Sequence, residues 1–302
     1  LPNKPLADLA GIPMVVRVAQ RAHLSQASQV VVATDSIEVM KVCEQFGVKA
    51  VMTRDDHPSG SDRLAEAATL LGLANTDIVV NVQGDEPLIE PHNINAVAQL
   101  LHDQSACSMS TLADPITQWE EWNSPHCVKV VLNAQSEAMY FSRASIPHFR
   151  GGSSDQLPPY PVYRHVGLYA YRCDFLKLYP TLTPAAAEQA EALEQLRVLW
   201  HGYRIAVHIS QVSSAAGVDT PADLEGVRAL LSKPLTFPLH LESNDADPTR
   251  WEKGGVLFAH GNLVTPAGPE LFARFGPWYV DALEGIWNFI AQASAWHHQQ
   301  DN

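Results

Sequence analysis

The chain has 302 residues, 46% of them hydrophobic, enough to bury the core of one large domain or two smaller ones. A formal net charge of −13 argues against a broad nucleic-acid or anionic-membrane surface, because such partners require a basic face. Four scattered cysteines, Cys43, Cys107, Cys127 and Cys173, lack ligand spacing, which argues against zinc and against a disulfide framework. No stretch approaches the ~20 consecutive apolar residues of a membrane span, and no leader pattern opens the chain, so a soluble cytoplasmic protein is expected.

Apolar runs rich in β-branched residues alternate with segments of helical period, the pattern of βα units on a largely parallel sheet. Gln29 to Ala33 reads as a short buried strand and Asp35-Ser36 as a helix cap. The following helix carries Met40, Cys43 and Phe46 on its apolar face and stops at Gly47. A second helix runs from Ser61 to Leu71. The apolar run Ile78-Val79-Val80 lies in a strand ending at Gln83, and Pro91 to Gln104 is a helix with Ile94, Val97 and Leu101 on one face.

Val128 to Leu132, Ala138 to Arg143 and His165 to Tyr171 read as strands, with a Gly/Ser/Pro-rich loop from Gly151 to Pro161. Ala185 to Trp200 is predicted as one helix, Arg204 to Ser210 as a strand, and Thr220-Pro221 as the start of another helix. Composition shifts beyond Ser232. Lys233 to Pro248 reads as a linker, and Val280, Leu283, Trp287 and Ile290 make an apolar stripe, read as a helix packed on a core. The expected division is a domain over 1–232 and an extension of unknown fold over 233–302.

The stretch Gly84-Asp85-Glu86-Pro87 falls where a buried strand stops. In open α/β sheets ligands sit beyond the carboxyl ends of strands, so this position delivers a carboxylate into the ligand crevice, and Gly84 permits close backbone approach. Hard divalent cations prefer carboxylate oxygen and share their shell with substrate phosphates, which makes Asp85 a candidate ligand. Capping of a turn by Asp85 and Glu86 is the alternative. Asp219, in Gly217-Val218-Asp219-Thr220-Pro221, occupies the same kind of strand-end position, with a helix-start role as its alternative.

Several ordered segments carry a family resemblance: Thr53 to Glu66, Asn81 to Pro87, Tyr140 to Pro147, Arg164 to Tyr169, Leu193 to Arg197 and Gly217 to Pro221. Together they resemble the bacterial 3-deoxy-manno-octulosonate (Kdo) cytidylyltransferases, in order from Leu1 to about Leu231. The resemblance implies a mostly parallel nucleotide-binding sheet flanked by helices, of the nucleotidyltransferase type. It also implies condensation of CTP with Kdo to CMP-Kdo and pyrophosphate for lipopolysaccharide assembly, with Mg²⁺ held by Asp85 and Asp219, in a cytoplasmic homodimer. Lys4 would touch phosphate. Arg54, Ser59 and Gly60, with Gln83 beside them, would read cytosine. Arg143 and Arg150 would hold the Kdo carboxylate, and His165, Tyr169, Glu194 and Gln195 would face sugar hydroxyls.

The chain departs from the family pattern at both ends. The family opens with a strand and a Pro-Ala-Arg phosphate loop ending in Arg-Leu-Pro-x-Lys, against which this sequence shows only Leu1-Pro2-Asn3-Lys4, and nothing beyond Lys233 matches. The alternatives are another sugar-acid cytidylyltransferase, such as the CMP-sialate type, and an inactive nucleotide-binding homologue.

Overall fold

The computed structural model describes residues 3–152, 156–210, 214, 217–232, 257–259 and 262–264. The chain divides into two units, Leu1–Leu231 and Ser232–Asn302. In the second, β-strands Leu257–Ala259 and Asn262–Val264 pair antiparallel. The predicted linker and the Val280 to Ile290 stripe lie outside the described residues.

The first unit begins with β1 (Asp8–Leu9), β2 (Ile12–Pro13), α1 (Met14–His23), β3 (Val32–Thr34), α2 (Ile37–Gln45), β4 (Ala50–Met52), α3 (Gly60–Leu70), β5 (Ile78–Asn81) and α4 (Pro91–Asp103). It continues with β6 (Met109–Pro115), α5 (Trp119–Asn123), β7 (Lys129–Leu132), β8 (Ala138–Ser142) and β9 (Tyr163–Arg172). The last elements are α6 (Cys173–Leu178), α7 (Ala186–Glu191), α8 (Gln195–Trp200), β10 (Ile205–Ile209) and α9 (Pro221–Ser232).

Local chemistry explains the early helices. Ser36 Oγ accepts from Val39 N at the start of α2, and Gly47, at φ 69°, turns the chain out of it. Ser59 caps α3 in the same way through Asp62 N. Along α4 the residues Ile94, Val97 and Leu101 are buried against Leu112, Leu168 and Ala170 of the sheet, as their spacing predicts. In α2 the buried positions are Val39 and Cys43, whereas Phe46 is 38% exposed, so the core-facing stripe is narrower than expected.

The expected α/β architecture, a central sheet flanked by helices, is what the first unit adopts. Its strand directions are mixed. β10 runs parallel to β6 and β3 parallel to β4, while β9 is antiparallel to β5, β6 and β7. β6 occupies one edge of β9 from Tyr163 to Tyr171, with a register shift at Thr111/Leu112. The other edge is shared, by β7 at Tyr163 and Arg164 and by β5 from Tyr169 to Arg172. Between those partners the edge opens.

Two expectations are corrected here. β6 is a central, almost wholly buried strand that the sequence pattern does not reveal, because Ser110, Thr111 and Asp114 interrupt its apolar run. The segment 185–200 is two helices. Ala192 adopts a left-handed conformation, φ 52° and ψ 53°, and ends α7. Glu188 accepts from Ala185 N at the start of α7 and then pairs with Arg197 of α8 through Nε and Nη2, at 2.9 and 2.5 Å. This buried pair ties α8 to the start of α7 across the break and places Glu194 and Gln195 at the head of a new helix.

Candidate active site

The 84–86 turn follows β5, and residue 218 lies against it. Val218 N–H donates to Asp85 O at 2.8 Å, and a Cβ at Gly217 would stand 3.5 Å from the same carbonyl. Val218 is fully buried with Leu9, Met14, Leu224 and Val227, so α9 and its preceding turn are packed onto the N-terminal elements. Thr220 Oγ1 accepts from Asp223 N while Asp223 Oδ2 accepts from Asp219 N and Thr220 N, a reciprocal cap that leaves the Asp219 carboxylate outward.

This framework brings Asp85 and Asp219 onto one cation. Lys4 Nζ donates to Asp85 Oδ2 at 2.6 Å and to Asp219 Oδ1 at 2.9 Å. Burial alone would pull the Lys4 ammonium down, but the two carboxylates outweigh it and hold its pKa above the ordinary value. Two acidic oxygen donors flanking a single positive charge suit a hard divalent ion that completes its shell with phosphate and water. Among the described residues no cluster of three or more ligating side chains occurs, so such an ion would take its remaining donors from substrate and solvent. Next to Asp85, Glu86 is pushed up to about 7 by burial and by the Asp85 charge.

A cavity of about 740 Å³ opens where β9 changes partner. Its wall includes Arg164, His165, Gly167 and Tyr169 of β9, Gln195 at the start of α8, and Glu194 just before it. Burial drives the His165 ring down to about 3, so it is a neutral imidazole, and lifts the Tyr169 phenol well above its usual range. Burial also raises Glu194, an effect partly offset by the polarity of the nearby Ser61 and Ser59 hydroxyls. Gln195 is 2% exposed and its Nε2 has no hydrogen-bond partner among the described residues. A buried amide donor left unpaired is costly in a folded protein and fits a ligand site.

The residues expected to read cytosine gather at the start of α3. Ser59 Oγ donates to Asp62 Oδ2 at 2.5 Å, Gly60 is the first helical residue, and Arg54 N donates to Glu66 Oε2. The Arg54 side chain is largely exposed, and Glu66 also bonds the buried His57 ring. Ser59 and Ser61 are near enough to Glu194 of the cavity wall to lower its pKa, so the start of α3 adjoins that wall. Gln83 caps the 83–86 turn through its carbonyl, accepting from Glu86 N.

Neither Arg143 nor Arg150 lines the cavity. Arg143 donates from Nε to Glu191 O and from Nη1 to Pro125 O, and Arg150 is exposed. The arginine in the wall is Arg164, which donates to Asp114 Oδ2 at 2.7 Å and lies 3.2 Å from Glu121. It sits in the Arg164 to Tyr169 motif, which was the available signal. Lys129 had none. Its fully buried ammonium donates to the carbonyls of Ser124, Cys127 and Arg143 and so fixes the loop that forms one rim.

A carboxylate pair after β5 and before α9, and a polar-walled cavity on the same sheet, are features that suit a nucleotidyltransferase-like site. The cytidylyltransferase family model matches residues 1–205. A protein of Acidovorax sp. (strain JS42) named 3-deoxy-manno-octulosonate cytidylyltransferase is 57% identical over 76% of this chain and 92% of its own length. One of the same name from Polynucleobacter necessarius subsp. necessarius (strain STIR1) is 56% identical over 77% and 91%. The solved structure of CMP:2-keto-3-deoxy-manno-octonic acid synthetase complexed with CTP superposes with a TM-score of 0.71 at 42% identity, covering 76% of this chain and 92% of that one. The chain belongs to the 3-deoxy-manno-octulosonate cytidylyltransferase family.

Proposed function

We propose that the protein transfers CMP from CTP to Kdo with release of pyrophosphate. The observation that carries this reading is the convergence of Asp85 and Asp219, distant in sequence, on one cation, in a unit whose sheet also carries a polar-walled cavity. Mg²⁺, when bound by these carboxylates, supplies charge neutralisation on the triphosphate. The protein's own part is positioning. Lys4 places a positive charge where phosphate oxygens arrive, the α3 loop from Arg54 to Gly60 with Gln83 receives the base, and the His165, Tyr169, Glu194 and Gln195 wall orients the sugar for in-line attack of its anomeric hydroxyl. Arg143 and Arg150, set outside the wall, are proposed to reach the sugar carboxylate from the rim.

The family resemblance supports extending this reading to lipopolysaccharide assembly, a cytoplasmic setting and a homodimer. Pyrophosphate release tests the central claim. Turnover with CTP and Kdo but not with CTP and sialic acid supports it, and binding of CTP without turnover under any sugar acid overturns it. Sedimentation of the purified chain reads the oligomer.

A further inference from the structure

The wall of the cavity depends on an irregularity in β9. Thr111 pairs with Tyr169 and the next residue, Leu112, pairs with Val166, so Gly167 and Leu168 are extra residues bulged from the ladder. A bulge leaves carbonyls without ladder partners. Thr111, completely buried, answers this with its side chain: Oγ1 lies 2.8 Å from Leu168 O and 3.3 Å from Val166 O. Both neighbours are acceptors, so the single hydroxyl proton is committed to the bulge. The same oxygen lies 3.0 Å from His165 Nε2.

That geometry determines the histidine's state. With the hydroxyl proton spent on a carbonyl, Thr111 Oγ1 has only lone pairs for the ring, and the hydrogen bond runs from His165 Nε2–H to Oγ1. Nδ1 is then a bare acceptor. It has no partner among the described residues, and the ring lines the cavity. The ring is held by an edge contact from Phe141, centroids 5.0 Å apart, and by Tyr169 at 5.3 Å.

We propose that Thr111 is a positioning residue for substrate selection, its hydroxyl locking His165 as the Nε2–H tautomer so that Nδ1 accepts a hydrogen bond from a hydroxyl of the sugar acid. The inference rests on the reading that this cavity receives the sugar. An acceptor with no donor capacity discriminates by chemistry: a hydroxyl satisfies it, whereas an analogue lacking that hydroxyl leaves it buried and unpaired.

The test uses the full chain and its Thr111→Val and Thr111→Ser variants, with ring ¹⁵N shifts of His165 read by NMR and assigned with His165→Gln. Wild type and Thr111→Ser are expected to show protonated Nε2 and bare Nδ1, with Nδ1 shifting on addition of Kdo. Thr111→Val is expected to lose the single tautomer and to raise KM for Kdo roughly tenfold, the scale of one hydrogen bond, with CTP affinity unchanged and Thr111→Ser restoring KM. A merely structural residue would move thermal stability without moving the tautomer or the ratio of the two substrate affinities. Protonated Nδ1 in the wild type overturns the proposal whether or not Thr111→Val folds, as does a Thr111→Val enzyme with wild-type KM for Kdo. Failure of the underlying reading is distinct: His165 shifts that ignore Kdo in an enzyme that turns it over would place the sugar elsewhere.

Discussion

Gln195→Met is expected to make the protein more stable and worse at binding its sugar. The side chain is 2% exposed and its Nε2 donor is unpaired among the described residues. An unmade buried hydrogen bond carries a penalty of about 1–3 kcal/mol, which the folded protein bears until a ligand arrives. Methionine is similarly long and unbranched, is a good helix former at the head of α8, and removes the amide. With about 1–2 kcal/mol recovered, the ligand-free melting temperature should rise by about 2–8 °C, taking ~2–4 °C per kcal/mol for a domain of this size. Loss of the donor should raise KM for Kdo by about tenfold or more while KM for CTP holds. Calorimetry of the free protein and initial rates at saturating CTP measure both halves. A lower melting temperature would show that Gln195 is satisfied in solution, and an unchanged sugar KM would remove it from the site.

Asp85→Asn should abolish pyrophosphate release while the melting transition persists; wild-type turnover would refute its metal role. Lys4→Met should strengthen Mn²⁺ binding to the nucleotide-free protein, because the ammonium that competes for Asp85 and Asp219 is gone. Weaker Mn²⁺ binding, read by water-proton relaxation, would mean that Lys4 holds the pair together for the ion. Arg197→Met should cost about 3–5 kcal/mol in urea unfolding, since it strands the buried Glu188 carboxylate, and a loss below 1 kcal/mol would contradict the burial of the pair. His165 binds its proton near 6.5 when unfolded and near 3 when folded, so between these values the unfolded state holds more protons. Stability is therefore intact above about pH 6.5 and falls by up to about 1.4 kcal/mol per pH unit below it, a slope that His165→Gln should reduce.

The parts legible in the sequence are those fixed by short-range chemistry. Ser36, Ser59 and Pro91 mark helix starts, Gly47 marks a helix end, and α4 follows its apolar spacing. Asp85 was recognisable as a carboxylate beyond a strand end, while Asp219, read the same way, lies at the start of α9, ten residues past β10. The break between α7 and α8 left no such mark, because Ala192, which takes the left-handed geometry there, is neither glycine nor asparagine, and the Glu188–Arg197 pair that spans the gap is a contact between two helices. β6 was hidden for a related reason. Ser110 Oγ donates to Val97 O and Thr111 Oγ1 to Leu168 O, so polar side chains sit fully buried in a central strand once tertiary partners satisfy them.

Those same long-range satisfactions divide the site into two chemically different ends. Along the cavity wall, burial moves three groups toward their uncharged forms: His165 down, Tyr169 up and Glu194 up. Arg164 is already engaged by Asp114 and Glu121. Within that wall His165, Tyr169 and Gln195 are uncharged donors and acceptors that select by hydrogen-bond direction, which suits a polyhydroxylated ligand. Mobile charge is kept at the other end, where Asp219 is 80% exposed and Lys4 bridges it to Asp85. Counter-charge there can exchange with solvent ions, which a desolvated pair could not do without leaving an uncompensated charge. The separation predicts a split in mutant kinetics. Changes to Thr111, His165 or Gln195 should act on the affinity for the sugar, and changes to Lys4, Asp85 or Asp219 on the rate of transfer, because only the latter face charge that develops as the phosphoryl bond breaks.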